Sequence, residues 1–187
     1  DSGIRFMFDN IGNLCSATNI ANTMTSNGRK ISAPTVENYL SALVDCFVLY
    51  KVGRYDVKGK RYLAAGSKYY LSDIGLRYYL LGRKRADLGH ILENVVYLEL
   101  LRRGYEIYIG KVGSAEVDFI AIGDEGEEYY QVAHTVNDAD GKTLARELAP
   151  LESIKDHNPK HLITMDFVPM TSHNGIKQIN ALEWLLH

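Results

Sequence analysis

Only two cysteines occur in 187 residues, Cys15 and Cys46, too few for a disulfide framework. Cys46 lies in an apolar run with Val44, Phe47 and Val48 and reads as a small core residue. No apolar run approaches the ~20 residues that cross a bilayer, and no secretory h-region opens the chain. A cytoplasmic protein with no membrane partner is expected. The pattern GxxxxGKS/T is missing, so these residues do not build the usual phosphate cradle for ATP. The six histidines and two cysteines show no zinc spacing, and no G-x-S-x-G marks a nucleophile elbow. The chain opens Asp1-Ser2-Gly3 rather than with Met, which reads as a piece of a longer protein.

What is present suffices for a packed core: 46% of the residues are hydrophobic and 24% charged, as in an ordinary globular chain. The net charge of −2 hides an asymmetry. Up to Leu88 there are 13 Lys/Arg against 7 Asp/Glu, and from Gly89 onward 8 against 16. Opposite balances in the two halves indicate two domains with different partners. The basic half suits nucleic acid, whereas the acidic half grips phosphates only by way of cations.

The hydrophobic periodicity predicts a winged helix-turn-helix over residues 1–86 and a second α/β domain over 87–187. A short helix is expected over Ile4–Ile11. Ser16-Ala17-Thr18-Asn19 offers N-cap chemistry for a second helix with Ile20, Ala21 and Met24 inward, stopped at Asn27-Gly28. Ser32-Ala33-Pro34 opens a third, carrying Val36, Tyr39, Leu40 and Leu43 at helical spacing. Cys46–Val52 reads as a strand, Asp56–Arg61 as a polar turn and Lys68–Leu71 as the returning strand, before a helix capped by Ser72-Asp73. Three helices and a two-stranded wing make the third helix the recognition helix. Arg54, Lys58, Lys60 and Arg61 at the wing are the candidate nucleic-acid-binding residues, because long cations on a flexible tip reach phosphates. The alternative is a module that docks on a protein, its wing charges solvated.

The second half runs helix (Leu88–Arg103), strands (Glu106–Lys111, Ser114–Ile122, Glu128–Ala133), helix (Lys142–Asp156) and strand (His161–Met165). It ends in a short strand and an apolar turn around Trp184. In each of the tyrosine pairs 69/70, 78/79 and 129/130, one ring is expected inside and one outside. The order matches the core of a restriction-endonuclease-like, PD-(D/E)xK-like fold. That chemistry needs carboxylates to hold Mg²⁺ and a lysine to help deprotonate water. Glu93 on the helix and Asp118 on the second strand occupy acid positions and form a possible metal pair. Gln131 stands where the third-strand acid belongs, and Ala133 where the lysine belongs. Glu116, two residues before Asp118, offers a further carboxylate. The expected site is therefore degenerate and non-catalytic; a Mg-dependent nuclease using Glu93 and Asp118 is the alternative.

The strings LENVVYLELLRRGYEIYIGKVGSAEVDFIA, YYQVAHTV and ARELAPLESIKDHNPKHLITMD resemble the C-terminal DUF4143 region of bacterial and archaeal AAA-type ATPases. So do the upstream NYLSALVDCFVLYKVGRYDVKGKRYL and KYYLSDIGLRYYLLG. The resemblance implies a missing N-terminal ATPase domain as partner, with ATP bound there and not in these residues. It also implies Glu93, Asp118 and Gln131 as a pseudo-active site, and DNA or a protein as further partner.

Overall fold

The computed structural model describes residues 2–82, 88–169 and 171–187. The boundary expected between residues 86 and 87 lies outside the described residues. Those residues form a mixed α/β architecture of seven helices and eight strands. They divide into two units: 2–53 with 64–82, and 54–63 with 88–187. None of the described helices is long and apolar enough to cross a membrane.

The first unit contains α1 (Ser2–Asp9), α2 (Ala17–Ser26), α3 (Ala33–Asp45) and α4 (Ile74–Leu81). Side-chain caps set three of the helix starts. Asn19 donates its N–H to Ser16 Oγ at 3.2 Å, Thr35 to Ser32 Oγ at 3.3 Å, and Gly75 to Asp73 Oδ1 at 2.6 Å. Phe8, Ile11, Ile20, Val36, Leu40, Leu49 and Leu71 form the core of this unit. Arg77 is wholly buried beside it and donates from Nε to the Phe8 carbonyl at 3.2 Å.

Sequence and structure part at the end of α3. The strand β1 is Leu49–Asp56, not 46–52. Cys46 is the C-cap of α3, and Phe47 follows at φ 57. This left-handed turn throws both side chains outward, so Cys46 is exposed rather than in the core. Tyr39 is also exposed, at 56%, because Val36 and Leu40 already fill the inward stripe of α3. The strand β2 is Arg61–Leu71, longer than Lys68–Leu71, since Ala64-Ala65-Gly66 carries no apolar alternation to betray it.

The sheet runs β2-β1-β3-β4-β5-β6-β8-β7, with β3 Glu106–Val112, β4 Ala115–Gly123, β5 Gly126–Ala133, β6 Lys160–Thr164, β7 Thr171–His173 and β8 Ile176–Asn180. The tip of the β1–β2 hairpin belongs to the second unit. There Arg54, Tyr55 and Asp56 pair in parallel with Ile109, Gly110 and Lys111, and Val57 donates its N–H to the Lys111 carbonyl at 3.0 Å. The helix α5 (Leu88–Arg102) packs on one face, where Tyr97 meets Phe119 with ring centroids 6.0 Å apart. The helix α6 (Lys142–Glu152) brings Leu148 and Leu151 onto a core of Val117, Ile120, Tyr129, Ala133 and Leu162. With both faces covered, Tyr129 and Tyr130 are both buried, so strand alternation does not split the pair. Tyr69 and Tyr70 are likewise both inside, while Tyr79 is 87% exposed. The apolar turn expected around Trp184 is a helix, α7 (Ala181–Leu186), capped by Asn180, whose Oδ1 accepts from Leu182 N–H at 2.9 Å.

Candidate functional site

Two places collect the residues that the sequence singles out. The first is the hairpin tip. Lys58, Gly59, Lys60, Arg61 and Tyr62 are five consecutive exposed residues. Asp56 shapes the turn: its Oδ1 accepts the Gly59 N–H at 3.1 Å, and its Oδ2 lies 3.9 Å from Arg61 Nε. The Arg61 side chain remains 72% exposed. The Lys58 ammonium stands 4.0 Å from where a Cβ on Gly113 would be, over the β3–β4 turn. Three cations are thus presented together to solvent. Arg54 is different: it is half-buried in the part of β1 that pairs with β3, and its Nε has no hydrogen-bond partner among the described residues.

The second place is a β-bulge in β4. Tyr108 pairs with Ile120 but Gly110 pairs with Val117, so Asp118 and Phe119 together oppose Ile109. The β4–β5 ladder runs from Gly123/Gly126 to Phe119/Tyr130. Beyond it, side chains replace backbone. Asp118 Oδ2 accepts the Val132 N–H at 2.9 Å, and the Asp118 N–H donates to Gln131 Oε1 at 3.3 Å. Gln131 Nε2 donates to Glu147 Oε2 at 3.0 Å. Arg146 closes the chain with Nε and Nη2 at 3.1 and 2.9 Å from Glu147 Oε1. An amide suits this position because one end must accept an N–H and the other must donate to a carboxylate. A glutamate would meet the Asp118 N–H well and the Glu147 carboxylate badly.

The structure therefore brings Asp118 and Gln131 together and adds Glu147. Sequence reading missed Glu147, although it falls between Leu144, Leu148 and Leu151 on the inward stripe of α6. Glu93 and its neighbour Asn94 are buried on α5. Ala133 is 9% exposed and packs among Val136, Leu148, Leu151 and Leu162. A lysine there would carry its ammonium into apolar surroundings. Among the described residues, no three of His, Cys, Asp and Glu are placed to hold one metal ion.

A further polar cluster gave no signal in the sequence. Glu128 accepts from the Tyr105 hydroxyl at 2.9 Å and the Tyr130 hydroxyl at 2.8 Å, and lies 3.0 Å from His161 Nε2. Burial pushes the Glu128 carboxyl up, but these hydrogen bonds and the imidazole outweigh it and hold the group below its ordinary range. Burial lowers the His161 imidazole, against the pull of Glu128. The Tyr130 ring stacks on His161 at 4.7 Å.

Residues 3–87 match the family described as "Domain of unknown function (DUF8612)". The chain is 40% identical over 185 residues to an uncharacterized protein of Haemophilus influenzae, a match covering 99% of this chain and 45% of that protein. It is 33% identical over 149 residues to uncharacterized protein MJ1544 of Methanocaldococcus jannaschii, covering 77% of this chain and 32% of that protein. The chain thus spans less than half the length of the curated relatives it matches. No solved structure matches it. These findings correct the resemblance to the DUF4143 region of AAA-type ATPases: the matching family is DUF8612, and the relatives carry no ATPase description. The ATPase partner domain and its ATP, inferred from that resemblance, lose their basis with it.

Proposed function

We propose that this chain is a nucleic-acid-binding module that grips phosphates through the β1–β2 tip and does not cut. The single observation that carries the reading is the exposed run Lys58-Gly59-Lys60-Arg61 on a hairpin anchored in the sheet. Anchoring matters, because a cation on a fixed turn loses less freedom on meeting a phosphate than one on a loose loop. In the first unit, three helices followed by a hairpin follow the order of a winged helix, and α3 takes the recognition position. Its exposed residues include Glu37, Asn38, Ser41 and Asp45 and no Lys or Arg. Base reading through α3 is accordingly weak, and binding is sequence-tolerant.

The second unit is read as restriction-endonuclease-like in layout, with Glu93, Asp118 and Gln131 in the acid positions. Gln131 brings no charge to offset a dication, and Ala133 brings nothing to a water molecule. Asp118 and Gln131 spend hydrogen bonds on holding strand to strand. The test is incubation of the whole chain with supercoiled plasmid in Mg²⁺ or Mn²⁺. Retardation of the plasmid without nicking is expected. Metal-dependent nicking that disappears in Asp118→Ala would replace this reading with a nuclease using Glu93 and Asp118. Absence of retardation would favour a module that docks on a protein.

A further inference from the structure

We propose that Tyr62 is a stacking platform for the bases of single-stranded nucleic acid, with Lys58, Lys60 and Arg61 beside it holding the strand's phosphates. The inference rests on the nucleic-acid reading above and narrows its ligand. Tyr62 directly follows the three cations and is 63% exposed. It lies on β2, an end strand of the sheet. Consecutive strand residues point to opposite faces, so Arg61 and Tyr62 flank one free edge. A chain of nucleotides bending over that edge meets a guanidinium and a ring.

The ring is held in place. Its centroid is 5.4 Å from that of Tyr55, at an interplanar angle of 65°, and 5.0 Å from that of Tyr108, at 49°. Tyr55 and Tyr108 are partly buried against the core of the second unit. A supported ring with an open face accepts a base with little further loss of freedom. Nearby carboxylates are engaged: Asp56 accepts the Gly59 N–H, and Glu106 accepts the Tyr108 hydroxyl. Among the described residues, neither Lys58 nor Lys60 has an ion-pair partner. Paired bases in a duplex hide their faces from a side chain, whereas a single strand offers them. Cationic groove plus aromatic ring is the general chemistry of single-strand binding.

The test is fluorescence anisotropy of the whole chain with a labelled oligothymidylate of about 12 nucleotides, within single-strand site sizes, and with a duplex of equal length. The parent should prefer the single strand. Tyr62→Ala should weaken oligothymidylate binding about tenfold, as loss of one base stack does, and leave duplex binding nearly unchanged. Tyr62→Phe keeps the ring and should keep the affinity. Equal weakening of both ligands, an unaffected single strand, or a parent that prefers duplex would each overturn the proposal. Lys58→Gln/Lys60→Gln/Arg61→Gln separates the two levels. If it abolishes binding while Tyr62→Ala does nothing, the phosphate grip stands and the stacking platform falls. If the parent binds neither ligand, both fall.

Discussion

At the scale of single residues, Gln131 decides what the bulge can do. Its amide spans an N–H on one side and the Glu147 carboxylate on the other, and it is 8% exposed. Gln131→Glu should therefore lower stability by about 1–3 kcal/mol at pH 7, the cost of a poorly paired buried charge. The new carboxyl would have a folded-state pKa raised above its unfolded value of about 4.3 by Glu147 and Asp118. Its penalty is full above the folded pKa and fades as pH falls toward the unfolded one. Urea midpoints at pH 7 and pH 4.5 check this; an equal deficit at both would contradict it. That Asp118 and Gln131 lie on neighbouring strands was readable from the sequence, because only the Gly123–Gly126 hairpin turn separates the two runs. Glu147 was not, since its role depends on how α6 seats against β5, and no spacing within one element reports that.

Among the elements, α5 and α7 meet through one ionic knot. Arg102 donates to Glu99 at 2.7 and 2.6 Å, and Arg103 donates to Glu99 Oε1 at 2.7 Å. Arg103 also donates to the Trp184 carbonyl at 2.6 Å and sits 4.2 Å over its ring. The Arg102 hydrogen bonds, joined by those of Arg103 and opposed by burial, bring the Glu99 carboxyl down to about 2. A depressed carboxylate stabilises above its unfolded pKa of about 4.3 and loses that contribution as pH falls through the folded value. Glu99→Gln should therefore lower the urea midpoint at pH 7, with the gap to the parent closing between about pH 4 and about pH 2. A gap as wide at pH 2.5 as at pH 7 would mean that the knot contributes nothing through charge. Helix caps at Ser16, Ser32 and Asp73 were legible because they are local chemistry. The start of β1 was not, because Cys46-Phe47-Val48 has a strand's composition and a helix C-cap's geometry. The helix α7 was hidden too: six residues around Trp184 are too few to show a period.

For the whole molecule, the charge asymmetry of the sequence takes on a new address. The run Lys58-Gly59-Lys60-Arg61 belongs to the first half by sequence, yet the tip groups with the second, acidic unit. It is a basic island in a unit that carries more carboxylates than cations. The parallel pairing of β1 with β3 makes this so, and it was out of reach from sequence because it joins residues some 55 positions apart. The claim that the chain grips nucleic acid through this island is tested most directly by the salt dependence of DNA binding. The affinity of the parent chain should fall with salt with a logarithmic slope of about −3, close to one unit per phosphate contact. Lys58→Gln/Lys60→Gln/Arg61→Gln should abolish measurable binding at every salt concentration. A variant that binds with the parent's affinity and slope would contradict the account.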